Sequence, residues 1–358
     1  MTTYNTLPLR LSYSQPFTSY NEWKWRKKTE PKEYEKAKRV YQESIEDIAI
    51  KVSSLYFAAI SALSDYQQSL AKSQDLEELF RISQRRLELG TITKGDLLQL
   101  ELSKLNAKVT VNEAKVKLND SLYDLFSYMR VTDYEHANLL PPENVLDMVL
   151  NVNDVLLKAR TNSSHAITQD LELIAAQQNL AKAKSAQGIQ MHLNAEVGFN
   201  RTADGFAAAY SHLQDNEIIG VTVTVPIFDW GVKKGRVMVA KSNLELAKTK
   251  REQADNDYVQ SVKREVMQFS LQAAQCRTSL QAQRISQERY DITKKRFEAG
   301  NVSVTELNTA LQELETAKSQ YISQLRTYWN YYYTLRKFTL YDWVQHQELT
   351  VDFDALVL

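Results

Sequence analysis

Glycine and proline are scarce in this sequence. Nine glycines and six prolines make about 4% of 358 residues, against roughly 12% in ordinary globular chains. With so few chain breakers, the elements between them must be long. Cysteine is rarer still: Cys276 stands alone, which excludes an internal disulfide and a thiolate metal cluster. Excess charge of one sign is missing too, since basic and acidic residues each number 44. No net field draws the chain to nucleic acid or an anionic membrane surface. Nowhere do 18 apolar residues run together, which excludes a hydrophobic spanning helix but not a membrane β-barrel, whose strands alternate. After Met1, TTYNTLPLRLSYS has neither the basic start nor the apolar run of a signal peptide. His136, His165, His192, His212 and His346 form no H-x-x-x-H or H-E-x-x-H pattern, and no phosphate-binding glycine loop or G-x-S-x-G occurs. An enzyme is not expected, nor a metal or other cofactor.

Long elements are present instead. No glycine or proline interrupts the 58 residues between Pro31 and Gly90 or the 64 between Gly235 and Gly300. As helices these runs would reach roughly 85 to 95 Å, more than a globular core spans. In the first, the heptad positions that start at Tyr41 and Ile45 and include Ile48, Val52, Leu55, Ala59 and Leu76 are mostly apolar, as in a coiled-coil seam. A second stripe through Tyr56, Ile60, Leu63 and Leu70 lies beside it. Two seams suit a ring of helices; one wide face suits a simple antiparallel hairpin.

The chain repeats itself at an offset of 210. Pro16 falls on Pro226, Tyr20 on Trp230, Val52 on Val262, Gly90 on Gly300, Asp96 on Glu306 and Leu97 on Leu307. The expected units are residues 1–130, with a tip at 90–95, and 161–340, with a β-hairpin at 191–228 and a tip at 300–305. A linker with short helices, 131–160, joins them, and a tail without clear period, 341–358, follows. In RRLELGTITKGDLL and KRFEAGNVSVTELN the glycines fit the left-handed residue past a helix end. Thr93 with Asp96 and Ser303 with Glu306 then have N-cap spacing. Each unit reads as a long helical hairpin with a narrow tip.

Leu193, Ala195, Val197 and Phe199 alternate with His192, Asn194, Glu196 and Gly198. Past a loop at Gly205, Asp215 and Asn216, Ile219, Val221 and Val223 alternate with Gly220, Thr222, Thr224 and Pro226. This is the period of strands, paired as a hairpin. The counterpart sets Leu9, Leu11 and Tyr13 against Arg10, Ser12, Ser14 and Pro16. A soluble half-buried sheet would show the same alternation, and for any single strand it is the better explanation. Their attachment to very long helices, with Trp23, Trp25, Phe228 and Trp230 past their ends, suits a barrel with an aromatic girdle. His192 reads as a lumen or sheet-surface residue. Tyr328, Trp329, Tyr331, Tyr332 and Tyr333 read as packing at a helix end rather than a stacking platform.

The two tip motifs, RRLELGTITKGDLLQLE and KRFEAGNVSVTELNTALQE, together with VTVTVPIFDWGVKKGRV and an Ala-rich helix running into LNAEVGF, resemble the TolC family of outer-membrane efflux proteins. The resemblance implies a mainly α fold with a small antiparallel β part. It implies a homotrimer whose strands form a shared transmembrane β-barrel in outer-membrane lipid, and whose helices form a tunnel across the periplasm. The tips would meet a periplasmic adaptor, or membrane fusion protein, linked to an inner-membrane pump. Adaptor contacts would fall on Leu89, Gly90, Thr91, Ala299, Gly300 and Asn301. Barrel-lumen positions would be Arg10, Ser12, Asn194, Glu196, Thr222 and Thr224. The periplasmic aperture would involve Asp96, Gln99, Glu306 and Thr309. The family's second acidic aperture position falls on Gln99 and Thr309, so a double acidic ring is not expected, and Asp96 and Glu306 also serve simply as caps. By the same offset, the partner of residues 150–217 would precede Met1, so the expectation is three strands per copy where the family has four. A coiled-coil scaffold of the cell envelope that never inserts is the alternative reading.

Overall fold

The computed structural model describes residues 4–17, 20–132, 138–140, 142, 145, 148–204, 214–225, 227–353 and 355. Gly205, His136, His212, Pro141 and Pro226 lie outside the described residues. Six helices occur among the described residues: α1 (Glu22–Glu88), α2 (Lys94–Tyr128), α3 (Val152–Asn162), α4 (His165–Gln187), α5 (Val232–Glu298) and α6 (Val304–Thr339). The strands are β1 (Tyr4–Pro16), β2 (Gln190–Ala203), β3 (Gln214–Thr224), β4 (Tyr341–Asp342) and β5 (Gln347–Glu348). The fold is mainly α with a small antiparallel β part.

Adding 210 to the bounds of α1 gives 232 and 298, the bounds of α5, and both helices have 67 residues. Each is longer than the glycine- and proline-free runs. Pro31 does not start α1 but sits within its first three turns. There the missing N–H removes a single ladder bond. Gly235 likewise lies inside α5, as its fourth residue.

The chain divides into two compact units that cut across the repeats. One holds residues up to 39 and 164–258. In its three-stranded sheet β2 is central, antiparallel to β1 and β3. In the same unit α4 buries Leu171 and Ile174. Asp170 on α4 pairs with Lys32 of α1 at 2.9 Å and Arg251 of α5 at 2.7 Å.

The other unit holds residues 40–163 and 259–358. Near the tips one core draws on four helices: Leu76 and Leu79 of α1, Leu100 and Ala107 of α2, Tyr290 and Phe297 of α5, and Leu307, Ala310 and Leu314 of α6. Further along, Phe269 of α5 meets Tyr328 of α6 at 5.0 Å between ring centroids. Tyr328 and Tyr332 are buried, so the tyrosine-rich end of α6 serves packing. The tail, read as featureless, forms the β4–β5 hairpin. Arg336 anchors it by pairing with Asp342 at 3.2 Å and with Glu46 of α1 at 2.9 Å. Burial raises the Glu46 carboxyl above the usual carboxylate range, and the guanidinium opposes that shift.

Against expectation, α1 contains one 18-residue window apolar enough by composition to cross a membrane. Only 22% of that window is buried within the chain. Phe57, Ala59, Ile60 and Ala62 are buried, and Ala59 meets Leu125 and Phe126 of α2.

Candidate functional site: two tips and a two-faced sheet

Both tips are turned by the same backbone device. Gly90 has φ +73° and Gly300 φ +83°. At the first, the Gly90 N–H donates to Leu87 O and the Thr91 N–H to Arg86 O, each at 2.9 Å. At the second, Gly300 donates to Phe297 O and Asn301 to Arg296 O, again at 2.9 Å. These are Schellman closures, in which a left-handed residue lets the chain satisfy the last helical carbonyls. A Cβ built on Gly90 meets nothing within 4 Å, so the requirement there is conformational rather than steric. Leu89, Thr91, Ala299 and Asn301 are exposed around the two glycines.

The helices that leave the tips are capped unequally. The Thr93 hydroxyl accepts from the Asp96 N–H at 3.2 Å, while Asp96 Oδ2 accepts from the Thr93 N–H and hydroxyl at 3.0 and 2.8 Å. These hydrogen bonds hold the Asp96 carboxyl below the usual aspartate range. Ser303 accepts from the Glu306 N–H at 3.2 Å. The Glu306 carboxylate points instead to Arg296, at 3.9 Å.

The four expected aperture residues do not converge. Gln99 and Thr309 line one cleft with Asn308, Gln312 and Thr316. Asp96 lines a separate cleft of about 340 Å³ with Arg86, Thr93, Phe297 and Ser303. Glu306 lines neither of these two clefts.

Sequence reading missed the residues that tie one hairpin to the other. Arg86 sits over the Phe297 ring at 5.4 Å and donates to Phe297 O at 3.3 Å. Fifteen residues before Gly90, Asp75 of α1 accepts from the Tyr290 hydroxyl at 2.6 Å and from Lys294 at 2.7 Å, both on α5. Burial and the neighbouring carboxylate push the Tyr290 hydroxyl up, so it stays protonated. The hydrogen bond that Lys294 donates to Asp75 raises Lys294 in turn. No motif marks these residues. Their only signal is a polar residue at a heptad-adjacent position on a helix that otherwise packs.

The sheet gathers the expected lumen residues on one face. Register pairs Ser12 with Glu196, Ser14 with Asn194 and His192 with Thr222, which puts these side chains on the same side. Arg10 pairs with Glu196 at 2.6 Å. The Ser14 hydroxyl donates to Asn194 Oδ1 at 2.8 Å, and the Asn194 amide donates to Thr222 Oγ1 at 3.1 Å. Thr224 is on this face too, opposite Gln190. Ile218 is its apolar exception.

The other face carries Leu11, Tyr13, Val197, Ile219 and Val221, each more than half exposed. Past the strand ends Phe17, Trp23, Phe228 and Trp230 are exposed as well, whereas Trp25 is half-buried. Asp229 caps this turn, accepting from the Gly231 and Lys233 N–H groups at 3.1 and 3.0 Å.

Solved structures share this fold at low identity. The Campylobacter jejuni CmeC outer membrane channel matches with TM-score 0.75 and 15% identity over 99% of this chain and 79% of its own. The Vibrio cholerae outer membrane protein VceC matches with TM-score 0.72 and 14% identity, over 98% of this chain and 86% of its own. The open state of the Neisseria gonorrhoeae MtrE outer membrane channel matches with TM-score 0.68 and 14% identity, over 98% and 82%. Among curated proteins no sequence match is found. Residues 158–339, just over half of the chain, match the family model described as outer membrane efflux protein. By that match, the chain belongs to the outer membrane efflux protein family.

Proposed function

We propose that this chain is one protomer of an outer-membrane exit duct, a homotrimer that carries substrates out passively while an inner-membrane pump drives them. The observation that carries the reading is the sheet. One face is a hydrogen-bonded polar ladder from Arg10 to Thr222, and the other exposes Leu11, Tyr13, Val197, Ile219 and Val221. In water an apolar face of this extent is a liability. Facing lipid, with the polar ladder toward a wet lumen, it is the ordinary arrangement of a membrane barrel.

The long helices then line a periplasmic tunnel that ends at the tips. Leu89, Gly90, Thr91, Ala299, Gly300 and Asn301 meet a periplasmic adaptor. Asp96, Gln99, Glu306 and Thr309 border the aperture, where one amide and one hydroxyl stand beside two carboxylates. Arg10, Ser12, Asn194, Glu196, Thr222 and Thr224 face the barrel lumen. The linker and the β4–β5 tail belong to an equatorial region. No step of this function is chemical.

The complete gene product should require detergent for extraction from the outer membrane, run as a heat-sensitive trimer and pass ions in a planar bilayer. A full-length product that is soluble without detergent would overturn the reading in favour of the coiled-coil scaffold.

A further inference from the structure

Balanced as a whole, the chain's charge is unevenly placed around the three-stranded sheet. Pro16 lies opposite His192 and Gln190 opposite Thr224, so β1 leaves the sheet, β2 enters it and β3 leaves it at one end. The three stretches that pass that end, residues 17–28, 182–191 and 225–236, carry nine basic residues and two acidic ones. At the opposite end, residues 200–217 carry Arg201 against Asp204, Asp215 and Glu217. Both acids at the basic end are already engaged. Glu22 pairs with Arg26 at 3.0 Å, and Asp229 accepts from the Gly231 and Lys233 N–H groups. Lys24, Lys27, Lys28, Lys184, Lys234 and Arg236 are exposed, and none of them forms an ion pair with a described carboxylate.

Fold stability does not call for these cations. α5 opens on Lys233, Lys234 and Arg236 with no acidic residue in its first turn, and basic groups there oppose the positive end of the helix dipole. The duplicated positions repeat the choice, since Lys234 and Arg236 fall on Lys24 and Arg26 of α1. Further along α1 the excess ends. There Lys32 meets Asp170, Lys36 meets Glu33 and Arg39 meets Glu35.

From the sheet toward the helices the exposed side chains run apolar, aromatic, then basic. Leu11, Tyr13, Ile219 and Val221 are exposed on the sheet, Phe17, Trp23, Phe228 and Trp230 follow, and the cations come next. That is the order in which a bilayer passes from hydrocarbon through the aromatic belt to the headgroups. The depth agrees as well. Lys24 to Lys28 rises about 6 Å along α1, and Lys233 to Arg236 about 5 Å along α5. A bilayer of about 40 to 45 Å around a core of about 30 Å leaves roughly 5 to 8 Å for each headgroup layer.

We propose that this basic band binds the anionic headgroups of phospholipids in the leaflet nearest the long helices, with Lys24, Lys27, Lys28, Lys184, Lys234 and Arg236 as its cations. Each lysine or arginine near an anionic surface strengthens association about fivefold. Because the whole chain is neutral, the attraction acts only at contact, within about one Debye length. The inference rests on the duct reading and names the lipid class that the helix side of the barrel selects.

The test is lipid selectivity of the full-length protein reconstituted in vesicles, read from quenching of tryptophan fluorescence by brominated lipid, since Trp23, Trp25 and Trp230 border the band. Brominated phosphatidylglycerol should bind at least about fivefold more strongly than brominated phosphatidylcholine. Raising salt from about 0.1 to 1 M, which shortens the Debye length from about 10 to 3 Å, should bring the two within about twofold. Lys24→Gln, Lys27→Gln, Lys234→Gln and Arg236→Gln combined should do the same at the lower salt. Lys32→Gln with Lys36→Gln, which removes cations already paired, should leave the preference intact. Equal quenching by the two lipids in the unaltered protein, or a preference that survives the combined variant, overturns the band. Should that variant fail to assemble, the salt series decides, and a preference unmoved by salt overturns the band. Unaltered protein that shows no lipid preference but sediments with purified peptidoglycan, where the combined variant does not, assigns the cations to a wall polymer instead. Absence of preference in a trimer that conducts ions removes the band and leaves the duct. Binding to the outside of phosphatidylglycerol vesicles without insertion or conductance would leave the band standing and remove the duct.

Discussion

The first tip, Glu88 to Lys94, and the second, Glu298 to Val304, share a backbone down to the Schellman hydrogen bonds at Gly90 and Gly300. Their side chains do different work. Arg86 reaches across to Phe297, whereas its counterpart Arg296 faces Glu306 of its own hairpin. Asp75 receives Tyr290 and Lys294 from the other hairpin, whereas its counterpart is the exposed Ile285. Duplication supplied two copies of one rod. Divergence then gave Asp75 a tie to the other hairpin and left the duplicated position, Ile285, apolar. Backbone geometry is thus common to both hairpins, and the ties made by Arg86 and Asp75 are not repeated at the duplicated positions.

The largest break in that comparison comes from Asp75. Replacing it by Ala removes the acceptor of the buried Tyr290 hydroxyl and the partner of Lys294, with about 2 kcal/mol expected for a charge-assisted pair near the surface. That is roughly thirtyfold in the opening equilibrium. Hydrogen exchange of the α5 amides around Tyr290 should accelerate by that order, and ion conductance should rise if the tips close the tunnel. Ile285→Ala, at the duplicated position, should leave this exchange unchanged within a single protomer. Equal effects at both positions would show that the hairpins are joined symmetrically.

Next come the glycines, where the two tips should behave alike. Gly90→Ala and Gly300→Ala each force a Cβ into the left-handed region, at about 1 to 2 kcal/mol. Neither meets a steric obstacle, because the nearest atom to a Cβ at Gly300 is Arg86 Nη2 at 3.6 Å. Local exchange should therefore quicken equally at both tips, and adaptor binding should weaken more than trimer formation. Equal loss of both activities would mean that the tips are only structural.

These differences mark how far the sequence could be read. Sparse glycine, the S/T-x-x-D/E spacing and period-two alternation act within a few residues of one another, and they place the helix ends, the caps and the two faces of the sheet. Pro31 misled, because a proline in the early turns of a 67-residue helix costs one hydrogen bond and the helix continues through it. The ties between hairpins were not legible. Asp75 and Tyr290 lie 215 residues apart, and nothing in either neighbourhood distinguishes a carboxylate that bridges helices from one that faces solvent. The Asp96 aperture position was legible as a cap, and the structure places its carboxylate in that cap.

The smallest effect is a difference in acid sensitivity between the caps. Thr93→Ala and Ser303→Ala should each loosen the first turn of the following helix by about 1 kcal/mol. Only the first cap includes a carboxylate, since Asp96 Oδ2 accepts from Thr93 while Glu306 turns away. Asp96 is held below its ordinary value in the folded tip. Its contribution is therefore complete above the unfolded aspartate value of about 3.9 and disappears as pH falls through the lower folded value. Exchange at residues 93–97, corrected for its intrinsic pH dependence, should then accelerate below about pH 4 relative to residues 303–307. In an Asp96→Asn variant that divergence should vanish. Were the two tips to loosen together on acidification, the reciprocal cap at Thr93 would not be what sets the first tip apart.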